Sequence, residues 1–458
     1  MEQLAGFPYS RIEFDREGSL YSVGEAQELV RAMENDGFTD LLVISHGWNN
    51  DSSEAQDLYT DLFTNLRSII DGGDALPKEM KLGVVGVFWP SKRFAEEQLI
   101  PGGGAASLGD AGRESAEQAL DDLAVALTTD SFQKTEEAQK IEEAKSLLND
   151  IQGNDDTAEK ARARFLALVR SLLPPGDHET GEGDPQLLDT DPEDLFHVLS
   201  APVPAFRAQA GGGGAAWANQ GPGTPASVSG GAAGLLDLVG GTMSAARHLA
   251  NYATYYTMKR RAGHVGAKGL NGLLGWIRHS APSLRIHLVG HSFGARAVTA
   301  AVNGAKTIAP FSLTLLQGAF SHNGFACQFD GNRHGFFRTV IDDGRVSGPI
   351  CITHTFNDFA VHRMYAIASR LARDDAAAAG GGPDDIYGGM GSNGAQRLAD
   401  GELNQDCNVL LPPGGVYDLR AQKVHNLLAD DVIKGHGDVR NPSVANLLLR
   451  ILQSAMPS

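Results

Sequence analysis

The chain has 458 residues, room for two or three domain-sized units, and an apolar fraction of 42% that suffices for a large core. Its net charge of −18 repels phosphate backbones and anionic headgroups, which argues against nucleic acid as a partner and against electrostatic membrane binding. Three widely spaced cysteines, Cys327, Cys351 and Cys407, form neither a disulfide framework nor a zinc site, and Cys351 sits in an apolar run as a buried small hydrophobe would.

The N-terminal residues lack the basic and apolar stretches of a secretory signal, and no run of about 18 apolar residues occurs. The expectation is a cytoplasmic protein without a membrane span. Residues 1–94 alternate apolar runs with amphipathic ones. Arg11–Phe14 predicts a short strand, Glu25–Glu34 a helix and Leu41–Ser45 a buried strand. Leu58–Ile70 predicts a helix with Leu58, Leu62, Leu66 and Ile69 on one face, and Val84–Trp89 a strand stopped by Pro90. Strand, helix, strand at this pitch predicts the α/β class, a mostly parallel sheet flanked by helices.

Residues 95–245 break that rhythm. Glu114–Ile151 is helix-forming and charged. Asp156–Leu173 predicts a helix opened by a capping box of Asp156 and Glu159, with Phe165, Leu168, Val169 and Leu172 as its apolar stripe. Residues 174–195 are rich in Pro, Gly and Asp, and Gly211–Gly234 reads as a flexible loop or linker. The Gly211–Gly214 run follows no strand and precedes no Gly-Lys-Ser/Thr, so no phosphate cradle and no cofactor is expected.

Across 246–458 the α/β rhythm returns. Helices are predicted at Met243–Lys259, Lys268–His279, Ala295–Asn303, Val361–Ala372 and Ser443–Gln453, the last with Leu447, Leu448 and Ile451 facing inward. Strands are predicted at Arg285–Val289, Leu313–Ala319 and Ile350–Phe356, with an alternating edge strand at Val416–Gln422.

The central motif is Gly290-His291-Ser292-Phe293-Gly294, set between an apolar strand and a helix. With 55 glycines in the chain a G-x-S-x-G match alone carries little; its strand-to-helix context carries much more. Such a turn needs small residues two positions either side of the serine, lifts the hydroxyl above the sheet, and places the Phe293 amide at a helix N-terminus where it can stabilise an anion. A second motif, His46-Gly47-Trp48, ends the Leu41–Ser45 strand. A tetrahedral oxyanion needs two preorganised N–H donors, and the residue after His-Gly suits the second one, so Trp48 joins Phe293 as a backbone donor. No metal-ligand spacing is present: His-Glu-x-x-His is lacking, and His436-x-Asp438 alone is too little.

Strand, His-Gly-Trp, strand, Gly-His-Ser-Phe-Gly, helix resembles the α/β-hydrolase superfamily over about 1–94 and 250–458. The resemblance implies Ser292 as nucleophile, followed along the chain by an acid and then a histidine. Asp358 in Asn357-Asp358 fits the acid, although it could instead cap the next helix; Asp342 and Asp343 sit in a polar turn and fit less well. His362, His425 and His436 follow the acid. His362 is four residues on and reads as structural, His425 and His436 both qualify by order, and the flanking glycines favour His436. His291 should support the site by packing. The long insertion resembles a helical cap over a substrate pocket. The implied activity is hydrolysis of a small-molecule or lipid-like carboxylic ester without metal or organic cofactor. A serine peptidase or amidase with the same triad, and a silent binding protein on this fold, are the alternatives.

Overall fold

The computed structural model describes residues 1–48, 52–91, 108–127, 134–173, 190–200, 241–358, 360–362, 365 and 381–455. The readings for Gly211–Gly234 and for most of 174–195 and Val361–Ala372 fall outside them. The chain divides into two compact units, one of residues 1–92, 259–362 and 382–458, the other of 93–258 and 363–381.

The first unit is built on an eight-stranded sheet: β1 (Glu2–Leu4), β2 (Phe7–Glu13), β3 (Asp40–Ser45), β4 (Leu82–Phe88), β5 (Arg285–His291), β6 (Ser312–Leu316), β7 (Ile350–His354) and β8 (Val424–Leu428). The order is β1-β2-β4-β3-β5-β6-β7-β8; β1 is antiparallel to β2, and every other pairing is parallel. The α/β class with a mostly parallel sheet is thus what the chain forms. All residues of β3 and β4 are buried, as strands covered on both faces must be, which is why they read as unbroken apolar runs.

Helices complete the layers. In α1 (Val23–Asn35), Ser22 accepts a hydrogen bond from the Glu25 amide at 3.2 Å as N-cap. In α2 (Ser52–Asp71), Leu58, Leu62 and Leu66 are buried as their spacing demands, while Ile69 is only partly so. The last helix, Pro442–Ser454, takes Asn441 as N-cap and Pro442 in its first turn. It buries Leu447, Leu448, Leu449, Ile451 and Leu452, side chains worth roughly 1.5–3 kcal/mol each when fully withdrawn from water.

At the amino ends of β3 and β5 a polar cluster pins the register. Asp40, fully buried, receives both arms of Arg285 at 2.7 and 2.6 Å and the His287 Nε2 at 3.0 Å. Burial alone would raise the Asp40 pKa, yet the hydrogen bonds from His287 and Arg285 hold it down at about 2. A carboxylate locked at residue 40 fixes Asp40 opposite Arg285, and with it Ser45 opposite Gly290 at the far end of the pair.

The second unit is helical within its described residues: Leu108–Leu127, Lys134–Leu147, Asp156–Leu172 and Pro192–Ser200, with part of Thr242–His264. The predicted capping box at Asp156 is displaced by one residue: Asp155 is the N-cap, accepting from the Ala158 amide at 2.9 Å, and Asp156 already lies in the helix. Arg162 and Glu193 pair through two hydrogen bonds of 2.8 and 2.7 Å, and Phe165 meets Phe196 edge to face. Thr242–His264 runs into a π-helical turn, Val265–Leu270, before Asn271–Ser280. The predicted helix at Lys268–His279 therefore begins inside that turn. Among the described residues, no helix is long and apolar enough to cross a membrane, and no group of three or more His, Cys, Asp or Glu could hold a metal ion.

The predicted edge strand shifts, and one strand had not been predicted. Val416–Gln422 forms no strand; Val416 is 73% exposed and the Tyr417 hydroxyl is spent on the Leu411 main chain. The edge strand is β8, two residues further on, and β1 had no counterpart in the sequence reading.

Candidate active site

In a parallel sheet the strand ends on one edge share a level, and the order here reverses between β3 and β5, the switch point where α/β sheets open a crevice. The register sets Ser45 beside Gly290, His291 beside Leu316, Leu316 beside Thr353, and His354 beside Leu428. The segments that follow, beginning at His46, Ser292, Gln317, Thr355 and Ala429, therefore line up along one edge.

Ser292 stands on the strained corner that joins β5 to the helix Phe293–Asn303, with φ 57° and ψ −122°. A non-glycine residue in that region costs about 1–3 kcal/mol and persists only where its surroundings impose it. They do so here: the Ser292 amide donates to Leu316 O at 3.0 Å, and its carbonyl accepts from the Ala295 and Ala319 amides, each at 3.1 Å. The flanking glycines are sterically required. A Cβ on Gly290 would come within 2.4 Å of Gly294 O, and one on Gly294 within 2.1 Å of Ser45 O and 2.5 Å of His46 O.

A direct stability test follows. Gly294→Ala should lower unfolding free energy by about 3 kcal/mol or more, because both obstructing atoms are main chain and cannot swing aside. Gly272→Ala, in the helix Asn271–Ser280 with open space at its Cβ, should be neutral or stabilising by up to about 1 kcal/mol. Urea unfolding of both variants checks the pair; equal midpoints would contradict the packing described.

His436 completes the corner. Its Nε2 lies 2.7 Å from Ser292 Oγ, and its Nδ1 lies 3.0 and 2.9 Å from the two oxygens of Asp358, a fully buried carboxylate. Nδ1–H donates to the carboxylate, so the Nε2 lone pair accepts a hydrogen bond from the serine hydroxyl. Burial alone would lower the His436 pKa; the charge and hydrogen bond of Asp358 outweigh it, and the net direction is upward from 6.5. Asp358 also caps the turn after it, accepting from the Val361 amide at 3.1 Å, so one carboxylate both caps that turn and holds His436.

The other candidates are placed elsewhere. His425 lies inside β8, fully buried, donating from Nδ1 to Ile350 O at 3.3 Å and accepting at Nε2 from the Arg420 amide at 3.1 Å. It belongs to the strand, not to a loop following one. The His362 amide donates to Asp358 O at 3.1 Å, within the turn that Asp358 caps. Asp342 pairs with Arg338 and Asp343 with Arg345.

Gly47 packs directly on Ser292: a Cβ there would sit 2.5 Å from Ser292 Cβ. The Gly47–Trp48 peptide thus lies next to Ser292, and the Trp48 ring is 5.9 Å from that of Phe293. His46 holds this peptide. Its Nδ1 donates to Gly47 O at 2.9 Å, its Nε2 accepts from the Trp89 amide at 3.3 Å, and its ring stacks on Trp89 at 5.5 Å. Burial pushes the His46 pKa down to about 4, which keeps the ring neutral and its donor and acceptor distinct.

One supporting residue had no clear sequence signal. Asp430, just past β8, accepts from Thr355 Oγ1 at 2.7 Å and the Phe356 amide at 3.0 Å, and its carbonyl accepts from Asn357 Nδ2 at 3.0 Å and Lys434 Nζ at 2.8 Å. It ties the loop bearing Asp358 to the loop bearing His436. Only its position at a strand's carboxyl end could have drawn attention to it. Compared with known proteins, the chain matches no family model, no curated protein and no solved structure.

Proposed function

We propose that this chain is a serine hydrolase of α/β-hydrolase type that cleaves carboxylic esters, with residues 95–245 as its cap insertion. The observation that carries the reading is the 2.7 Å contact between Ser292 Oγ and a His436 whose opposite nitrogen rests on Asp358.

His436 Nε2 takes the proton of Ser292 as the oxygen attacks the ester carbonyl carbon. The carbonyl π electrons move to oxygen, where the Phe293 and Trp48 amides stabilise the charge. The intermediate collapses with cleavage of the bond to the alkoxide, which receives the proton from His436. Water then repeats the sequence on the acyl-serine, returning acid and free enzyme.

A fluorophosphonate probe tests this. Wild type should be labelled and Ser292→Ala should not; an unlabelled wild type would favour a silent binding protein instead. Esters and matched amides assayed side by side separate esterase from amidase.

The charge on His436 sets the pH response. The base must be neutral, and its pKa is raised, so kcat/KM should climb with pH through a midpoint above 6.5 and then level off. The stability linkage has the opposite sign. The protonated His436–Asp358 pair stabilises the fold fully below the unfolded histidine pKa, and that contribution is lost as pH rises through the folded value. A pH–rate profile with a midpoint below 6.5 would contradict the assignment.

A further inference from the structure

His436 is carried by Lys434-Gly435-His436-Gly437-Asp438, whose two glycines leave the backbone wide freedom. Within the loop, the Lys434 amide donates to Asp438 Oδ2 and the Asp438 amide to Gly435 O, at 3.0 and 3.1 Å. Toward the acid it is tied through Asp430. Toward the nucleophile, besides the Ser292 contact itself, it is held by His291: the Nε2–H of His291 donates to the His436 carbonyl at 2.8 Å. His291 immediately precedes Ser292, is 4% exposed, and has its ring centre 5.0 Å from that of His436.

We propose that His291 is a positioning residue that docks the base-bearing loop onto the elbow and so fixes the reach of His436 to Ser292. This rests on the hydrolase reading of the same site. Because docking arm and nucleophile are consecutive residues on one rigid corner, the base is referenced to the serine through a single short unit. The arm must be rigid, with a donor at its far end, and a neutral imidazole protonated on Nε2 is such a group. Among the described residues its buried Nδ1 meets no donor or acceptor, so the ring's one strong contact is the His436 carbonyl. Burial, reinforced by the neighbouring His436, holds the His291 pKa at about 3. His291 therefore stays uncharged beside a base that must itself become positive during turnover.

The test uses the full chain with isotope-labelled histidine, as wild type, His291→Leu and His291→Gln. Glutamine carries an N–H donor at comparable reach; leucine fills space without one. In wild type, His436 should titrate above 6.5 by NMR, and in His291→Leu it should titrate lower, because the contact with Asp358 loosens. Glutamine should restore most of the shift. On p-nitrophenyl acetate, kcat should fall about 100-fold in the leucine variant and recover in the glutamine variant, with KM little changed. Should leucine not be tolerated, His291→Asn, whose amide is too short to reach, replaces it in the comparison. An identical His436 titration in wild type and His291→Leu would overturn the proposal, as would a glutamine variant no closer to wild type than leucine. A titration shift in a protein that neither hydrolyses esters nor reacts with the fluorophosphonate would uphold the docking role and sink the hydrolase reading. Full activity with no response to His291→Leu would do the reverse.

Discussion

Ser292→Ala is expected to lower kcat on p-nitrophenyl acetate by on the order of 10⁴- to 10⁶-fold while leaving the fold intact. The loss is this large because the three side chains would act as a unit: with the hydroxyl gone, His436 has no proton to take and the ring that Asp358 orients has nothing to activate. Some rate above water should survive, since the Phe293 and Trp48 amides still stabilise an oxyanion formed by direct attack of water. The stability side is equally specific. Alanine at φ 57° carries the same backbone strain as serine, so Ser292→Ala should unfold within about 0.5 kcal/mol of wild type. Ser292→Gly, which adopts that conformation without penalty, should be more stable by roughly 1 kcal/mol and equally inactive. Parallel kinetics and urea melts check both halves. An alanine variant retaining a tenth of wild-type turnover would remove Ser292 from the chemistry, whatever its hydrogen bonds.

The sharp corner at Ser292 was readable because its requirements are local. The glycines at 290 and 294 are dictated by atoms within a few residues of the turn or at the end of the adjacent strand, so the motif and its context coincide in sequence. β3, β4 and β6 were readable for a related reason: full burial leaves apolar runs with little else in them. β8 hid because it breaks that rule. Val424–Leu428 carries His425 and Asn426, and both are satisfied by main chain, His425 from Arg420 and Ile350, Asn426 from Ala395. Polar groups paired inside a sheet look, in sequence, like a loop. The alternating stretch just before it looked like a strand and is irregular. His436 could be preferred by its glycines, but the clamp that places it could not be foreseen. The contacts of Asp430 with Thr355 and Phe356 span 75 and 74 positions, and nothing at either end marks the other.

Asp358→Asn separates the two tasks this residue performs. As a cap it accepts from the Val361 amide, and asparagine caps helices as well as aspartate does, so the turn should survive and global stability should change little through that contact. As the partner of His436 it does something asparagine cannot: two carboxylate oxygens at 3.0 and 2.9 Å accept Nδ1–H and fix the tautomer that leaves Nε2 free for Ser292. An amide can turn its NH₂ toward Nδ1 and stabilise the opposite tautomer, with the proton on Nε2 facing the serine. Turnover should then drop on the order of 10⁴-fold near neutral pH. The residual activity carries its own signature. Without the carboxylate, burial acts on His436 unopposed, so its pKa falls and the acid limb of kcat/KM moves to lower pH. An aspartate that only capped the turn predicts otherwise: asparagine would replace it, and both the turnover and the pH limb would stay where they are in wild type. A folded Asp358→Asn protein with the wild-type pH profile would therefore reassign the acid, even if its rate were low.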